Sequence, residues 1–210
     1  MSEARRRLIL GVTGGVACGK SEVGRILERQ GFAVCDADVL AHAAIEPGGA
    51  AYGAVVRRFG PRILRADGTV DRPALARMVF ADAAALADLN ALVHPVVRQA
   101  LDQWRAGLPL QQDAAALVPL LYEAGWTDGW TAVICVAADP ETVWERVKQR
   151  RWTAEETRRR IAAQWPLEEK ARRADYVIRN DGTLAELERA VVGVLRKIRN
   201  PEQENEHDAR

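Results

Sequence analysis

Apolar positions along this chain follow two rhythms. Leu8-Ile9-Leu10-Gly11-Val12 is an unbroken apolar run closed by glycines, the pattern of a strand buried on both faces. From about Ser21 to Arg29 the spacing changes to that of a helix, with Val23, Ile26 and Leu27 as its buried face and Gly31 as its stop. Phe32-Ala33-Val34-Cys35 predicts a second strand, ending in Asp36-Ala37-Asp38. Three more are predicted: Ala114 to Val118 ahead of Pro119, Thr131 to Ala137, and Tyr176 to Ile178. Strands alternating with helices predict an α/β fold built on a five-stranded parallel sheet.

Two stretches interrupt that alternation. Residues 45–112 contain no convincing strand; Leu75, Val79 and Phe80, then Leu86, Leu89, Leu92 and Val93, have helical spacing. Pro47-Gly48-Gly49 supplies turn chemistry at the entrance and Asp67-Gly68 supplies it within. The stretch is too long for an ordinary crossover, so it is predicted to be a helical insert. A second insert follows the fourth strand. Asp139-Pro140 opens a helix there, and Thr153-Ala154-Glu155-Glu156 has the form of a capping box for the next one. The expected division is a core of residues 1–44, 113–145 and 174–200, a helical insert of 45–112, a small helical segment of 146–173, and a flexible tail of 201–210.

Composition narrows the function. A chain of 210 residues with 48% hydrophobic content makes one compact domain, or a core carrying an insert. Thirty basic against 29 acidic residues leave a net charge of +1, which argues against whole-chain electrostatic binding to nucleic acid or to an anionic membrane. No apolar run is long enough to span a bilayer. The N-terminal MSEARRRLILGVTGG starts basic and turns apolar, but its apolar stretch is too short for a secretion signal. Cys18, Cys35 and Cys135 are too few and too far apart for a disulfide framework or a zinc site. A cytoplasmic, reduced protein is expected. Only Lys20, Lys148, Lys170 and Lys197 are lysines. Residues 145–173 hold ten Lys/Arg and five Asp/Glu, whereas the final PEQENEHDAR is acidic and solvated.

The strongest chemical signal is Gly14-Gly15-Val16-Ala17-Cys18-Gly19-Lys20-Ser21, a G-x-x-x-x-G-K-S sequence after a strand and before a helix. Glycines let the loop curl so that its N–H groups aim at phosphate oxygens, and the helix start adds a positive dipole end. Lys20 supplies a mobile charge for β- and γ-phosphates, and the Ser21 hydroxyl is placed to ligate Mg²⁺. The competing reading is a glycine-rich turn that matches by chance, which the correct flanking elements disfavour. Cys18 either fills space inside the loop or serves as a redox site near a helix start.

A phosphate loop alone does not separate kinases from switches or motors. Asp36 and Asp38 follow a strand, where open parallel sheets place their ligands. If the chain stays extended there, both carboxylates face one cleft, one toward an acceptor hydroxyl and the other toward magnesium or its waters. The alternative is that they cap the next helix. Arg146 and Arg150 lie four apart on one helix face, where like charges repel unless an anion sits between them. Together with Arg158, Arg159 and Arg160 they would make a lid over a γ-phosphate. Solvated pairing with Glu145, Glu155 and Glu156 is the alternative, and the preferred one for Arg159 and Arg172. GTPase base-reading residues of the N-K-x-D type are absent, and Val118 is followed by Pro119 rather than by an aspartate. Both facts weaken the switch and ATPase readings.

At this point the sequence resembles the dephospho-CoA kinase family from Leu8 to about Ile198. The resemblance rests on Thr13-Gly14-Gly15 with Gly19-Lys20-Ser21, Asp36-Ala37-Asp38, Glu46-Pro47-Gly48 and Asp67-Gly68-Thr69-Val70-Asp71-Arg72. It continues through Leu89 to Pro95, Pro119-Leu120-Leu121-Tyr122-Glu123, Arg160 to Gln164, Pro166 to Lys170 and Ala174 to Ile178. The resemblance implies a P-loop kinase core, a helical CoA-binding insert and a small helical lid. The reaction it implies moves the γ-phosphoryl of ATP, with Mg²⁺, to the ribose 3′-hydroxyl of dephospho-CoA.

By the same resemblance Asp38 is the general base or hydroxyl-positioning group, Lys20 holds phosphate, and Arg146 and Arg150 neutralise developing charge. Asp36, His94 and Leu120 line the acceptor site, and Arg160 and Gln164 belong to the lid. His94-Pro95 has a second reading, as the end of one helix and the start of another. Trp126, Trp130, Trp144, Trp152 and Trp165 are expected to serve packing and the lid hinge rather than base stacking. Cys18, Glu22 and Arg179 depart from the family pattern. A monomer or weak homo-oligomer without nucleic-acid or membrane partners is expected. Another nucleoside or nucleotide kinase, or a silent ATP- or CoA-binding regulator, stays open as an alternative.

Overall fold

The computed structural model describes residues 6–150 and 152–200; the predicted tail lies outside them. In chain order the elements are β1 (Ile9–Gly14), α1 (Lys20–Arg29), β2 (Ala33–Asp36), α2 (Ala37–Ala44), α3 (Tyr52–Phe59), a 3₁₀ turn (Pro61–Ile63), α4 (Arg72–Ala81) and α5 (Ala83–Ala106). There follow β3 (Ala114–Leu117), β4 (Ala132–Ala137), α6 (Pro140–Gln149), α7 (Ala154–Ala162), α8 (Leu167–Arg173), β5 (Tyr176–Arg179) and α9 (Leu184–Arg199). Two compact units share the chain. Cys35–Leu108 forms one, and the segments before and after it form the other.

The five predicted strands join in one sheet of order β2-β3-β1-β4-β5. β1 is paired in parallel on both sides, Leu10 with Ala115 and with Ala132, and β4 pairs in parallel with β5. Side chains alternate along a strand, so each strand offers two faces. Leu10, Val12, Ile134 and Val136 pack on Val23, Ile26 and Leu27 of α1 and on Leu187, Val191 and Leu195 of α9. Each such buried aliphatic side chain contributes about 1.5–3 kcal/mol relative to exposure. Gly11 looks the other way. A Cβ there would stand 2.9 Å from Leu121 and 3.1 Å from Trp130, so the missing side chain admits the turn after β3.

Polar anchors fix the ends of these elements. Asp113 is buried; it accepts from Leu8 N at 2.9 Å and from Arg199 Nη2 at 2.5 Å. The capping box expected at Thr153 is half present. Glu156 N donates to Thr153 Oγ1 at 3.1 Å, but the Glu156 carboxylate pairs with Arg160 at 2.9 Å. The complete box stands at Thr183, whose side chain is bonded by Glu186 N while the Glu186 carboxylate accepts from Thr183 N at 2.7 Å.

The unit Cys35–Leu108 is helical, with one isolated bridge between Leu64 and Val70. Tyr52 Oη donates to Gly68 O at 2.7 Å, Arg72 pairs with Glu46 at 2.9 Å, and Asp71 caps α4 through Ala74 N at 3.1 Å. The Glu46-Pro47-Gly48 and Asp67-to-Arg72 motifs therefore meet each other. One expectation is corrected here. His94-Pro95 does not end a helix, because α5 runs through Pro95 without interruption. Proline inside a helix costs a hydrogen bond and strains the preceding turn. Here Pro95 is exposed, and Val93, Val97 and Leu101 form one buried face across it, so tertiary packing overrides the break. Among the described residues no helix is long and apolar enough to cross a membrane.

Burial lowers the pKa of His94, and burial with nearby Arg72 lowers that of His42. Between these depressed values and the unfolded value of about 6.5, the unfolded chain binds more protons, so stability rises with pH in that window. Melting temperature is expected to drop as pH falls below about 6.5. The H42Q/H94Q variant should show a flatter slope there, measured by thermal melts at matched ionic strength.

Candidate active site

The phosphate loop leaves β1 at Gly14 and enters α1 at Lys20. It needs unusual backbone: Ala17 has φ of 57°, and Gly19, the residue before α1, has φ of 97°. A Cβ at Gly19 would also lie 2.1 Å from Asn180 Nδ2, so glycine is required twice over, for conformation and for space. The first N–H groups of a helix have no intrahelical acceptor, and with the dipole they make an anion site. The Ser21 side chain stands exposed in that first turn of α1.

Carbonyl groups in the loop must find donors elsewhere. Lys20 Nζ donates to Gly14 O at 3.0 Å and to Gly15 O at 2.7 Å. Arg146 Nη1 reaches Cys18 O at 3.4 Å and Ala17 O at 3.5 Å, while its Nη2 donates to Asn180 O at 2.8 Å. Asn180 Nδ2 donates to Cys18 O at 2.8 Å. Val16 O receives the Cys18 thiol at 3.7 Å, and Gly19 O receives Val23 N at 3.1 Å. Every carbonyl from Gly14 to Gly19 thus has a partner. Burial pushes the Cys18 thiol above its ordinary pKa, partly offset by Lys20. Its Sγ lies 2.8 Å from where a Cβ on Gly15 would be, which is the setting of a packing residue rather than an activated thiol.

The other predicted residues fall in several settings. The chain is not extended across Asp36-Ala37-Asp38, so that expectation is corrected. Asp36 caps α2, accepting from Asp38 N at 2.9 Å, and Asp38 is exposed in the first helical turn. An aspartate satisfies orphan N–H groups well enough to start the helix at once. His94 is half-buried in α5, and Leu120 lies in the turn after β3. Arg146 is on α6 and bonded to the loop from behind, whereas Arg150 caps α6 with its guanidinium 5.4 Å over Trp152. Arg160 lies 4.4 Å over the same ring and pairs with Glu156. Arg159 and Arg172 form ion pairs within their own helices, with Glu155 and Glu169. Trp126 is buried, and Trp144 and Trp152 pack against the core. Trp165 stacks on Tyr122 with ring centroids 6.3 Å apart, and Trp130 Nε1 donates to Trp126 O.

Gln164 belongs to a buried group that the sequence did not disclose. Lys170 is completely buried. Its Nζ meets Glu123 Oε1 at 2.7 Å, Pro119 O at 2.8 Å and Gln164 Oε1 at 3.1 Å. Asn180 was missed as well. No local signal marks either, since Asn180 stands between Arg179 and Asp181 and Lys170 lies among charged residues of α8. Among the described residues no cluster of three His, Cys, Asp or Glu forms a metal-ligand set. Mg²⁺ fits such a site, because it characteristically takes one or two protein oxygens and completes its shell with phosphate and water.

A glycine loop between a central parallel strand and a helix, carrying lysine and serine at the helix start, defines a nucleotide-binding protein of the P-loop kinase class. The dephospho-CoA kinase family profile matches residues 8–186. A dephospho-CoA kinase of Geobacter sulfurreducens is 44% identical over 195 residues, spanning 90% of this chain and 98% of that protein. Among solved structures, the protein TT1252 of Thermus thermophilus superposes with a TM-score of 0.77 at 38% identity, over 91% of this chain and 98% of its own. The dephospho-CoA kinase of Campylobacter jejuni gives 0.64 at 26% identity, over 92% and 98%. The chain belongs to the dephospho-CoA kinase family.

Asn180→Ala removes the shorter of the two donors to Cys18 O and leaves that carbonyl with Arg146 Nη1 at 3.4 Å. ATP is expected to bind about tenfold more weakly, roughly 1.4 kcal/mol, as read by titration calorimetry. Gly19→Ala combines a strained φ with a collision and should abolish measurable ATP binding. Unchanged affinity in both variants would show that the loop does not depend on its rear contacts.

Proposed function

We propose that the protein transfers the γ-phosphoryl group of ATP to the ribose 3′-hydroxyl of dephospho-CoA, releasing coenzyme A and ADP. The observation that carries this reading is the family match across residues 8–186, which includes an intact phosphate loop. The loop amides and the start of α1 hold the phosphates of ATP. Lys20, now on Gly14 O and Gly15 O, exchanges those carbonyls for the β- and γ-phosphates. Ser21 would hold Mg²⁺ through its hydroxyl, and the ion would supply charge neutralisation at the transferring group.

Asp38 sits beside the acceptor hydroxyl and takes its proton or orients it. In a loose transition state, orientation contributes more than proton removal. Asp36 caps α2 through Asp38 N, so the two carboxylates stand at a helix start rather than along a strand. The helical unit Cys35–Leu108, with His94, recognises the CoA portion. Residues 146–173 form the lid; Arg150 and Arg160 bring positive charge to the γ-phosphate, and Arg146 acts on the loop itself. A silent ATP-binding regulator is disfavoured by the presence of Lys20, Ser21 and Asp38 together.

The test is ADP release with ATP, Mg²⁺ and a panel of acceptors, namely dephospho-CoA, adenosine and the common nucleoside monophosphates, with product masses measured. Turnover with dephospho-CoA alone is expected. Turnover with a monophosphate instead would overturn the acceptor assignment, and no acceptor-dependent turnover would favour the regulator. Asp38→Asn should lower kcat by about 100-fold or more while ATP affinity stays unchanged. Full activity in that variant would remove Asp38 from the mechanism.

A further inference from the structure

Lys170 is a lysine with no exposure at all. An ammonium group has three donors, and all three have acceptors: Glu123 Oε1, Pro119 O and Gln164 Oε1. Glu123 Oε1 also accepts from Trp165 N at 2.8 Å. Two consecutive residues, Gln164 and Trp165, are therefore tied to a single ion pair by a side chain and by the backbone. They occupy the connection between α7, which carries Arg160, and α8, which carries Lys170. Two contacts link the same group to the phosphate loop. Pro119 O accepts a second bond, from the buried hydroxyl of Thr13 at 3.2 Å, and Thr13 immediately precedes Gly14. Leu167 at the start of α8 lies within 3.6 Å of where a Cβ on Gly15 would be.

Stability alone does not explain this arrangement. Removing two charges from water is expensive, and an apolar pair of equal volume commonly serves a fold as well or better. Here the pair also leaves Glu123 Oε2 buried with no hydrogen-bond partner among the described residues, a further cost. What the pair provides is direction, since each bond admits a narrow range of geometry. We propose that Lys170 and Glu123 are positioning residues for phosphoryl transfer, fixing the Gln164–Trp165 connection, and with it the arginine-bearing helix α7, in register with the phosphate loop. The inference rests on the kinase reading and on residues 146–173 acting as the lid.

The experiment compares K170M, E123Q and the double variant E123Q/K170M with wild type, measuring melting temperature, kcat and both KM values with ATP and dephospho-CoA. Each single variant leaves one buried group unmatched and should melt lower. The double variant removes both charges, retains an oxygen for Trp165 N, and should recover most of the lost melting temperature. Its kcat is expected to stay at least about tenfold below wild type, with KM for dephospho-CoA within about twofold, because transition-state contacts are lost while ground-state acceptor binding remains. Recovery of kcat together with stability would overturn the proposal and leave the pair a purely structural element.

Gln164→Met gives a second reading that leaves the ion pair intact. It leaves one N–H of the buried ammonium without its acceptor and should lower melting temperature modestly, while kcat falls about fivefold or more with KM for dephospho-CoA nearly unchanged, as expected for a loss in the transition state; wild-type kcat would likewise overturn the proposal. Failure of wild type itself to phosphorylate dephospho-CoA would instead refute the kinase reading, so the two failures are distinguishable.

Discussion

A loop that turns its amides toward an anion turns its carbonyls into the protein, and those carbonyls must be met by donors. Much of the unit that carries the phosphate loop follows from this constraint. Lys20 meets the first two carbonyls, and Arg146 and Asn180 meet the two ahead of Gly19. Those donors come from α6 and from the residue after β5, elements far apart in sequence from the loop. The order of the sheet makes the meeting possible. β1 lies beside β4 and β4 beside β5, so the ends of successive strands arrive together at the loop. Asn180 is bonded to Ala137 O through its own backbone, which holds its amide at the depth the loop requires.

Polar groups in the interior serve alignment more than stability. The core of Leu10, Val12, Ile134 and their neighbours supplies apolar burial in abundance, and it is indifferent to small slips between helices. The bonds of Thr13 and Lys170 to Pro119 O are not indifferent. They fix distances between a strand, a turn and a helix that apolar packing alone would leave loosely specified. Trp165 adds a flat surface on Tyr122, with the Arg173 guanidinium 4.7 Å from the indole centroid, so the connection between α7 and α8 is held by stacking as well as by hydrogen bonds.

The strands were legible in the sequence because each is a short apolar run with its own stop signal, and the loop was legible because its chemistry needs a fixed spacing. Two local readings failed for opposite physical reasons. At Asp36 a capping preference acted at once and ended the extended chain, so a local effect won. At Pro95 the local preference for a break lost to a buried face of Val93, Val97 and Leu101. Asn180 and Lys170 were illegible for a third reason. The partners that bury them are remote in sequence, Cys18 for Asn180 and Pro119 with Glu123 for Lys170, so the flanking residues do not mark either as buried. The capping box at Thr183 was readable in principle, from Thr183 and Glu186 alone.

Asp113 joins the two ends of its unit, accepting from Leu8 near the beginning of the described chain and from Arg199 near its end. That geometry bears on the order in which the molecule can form on the ribosome. The continuous segment Cys35–Leu108 has all of its internal contacts available once residue 108 has been made. The sheet unit does not: β1 waits for β3 and β4, and the buried carboxylate waits for α9. Contacts of such long sequence separation form slowly and late. During synthesis β1 therefore lacks its full pair of strand partners until residue 137 has been made, and Asp113 lacks Arg199 until α9 has emerged.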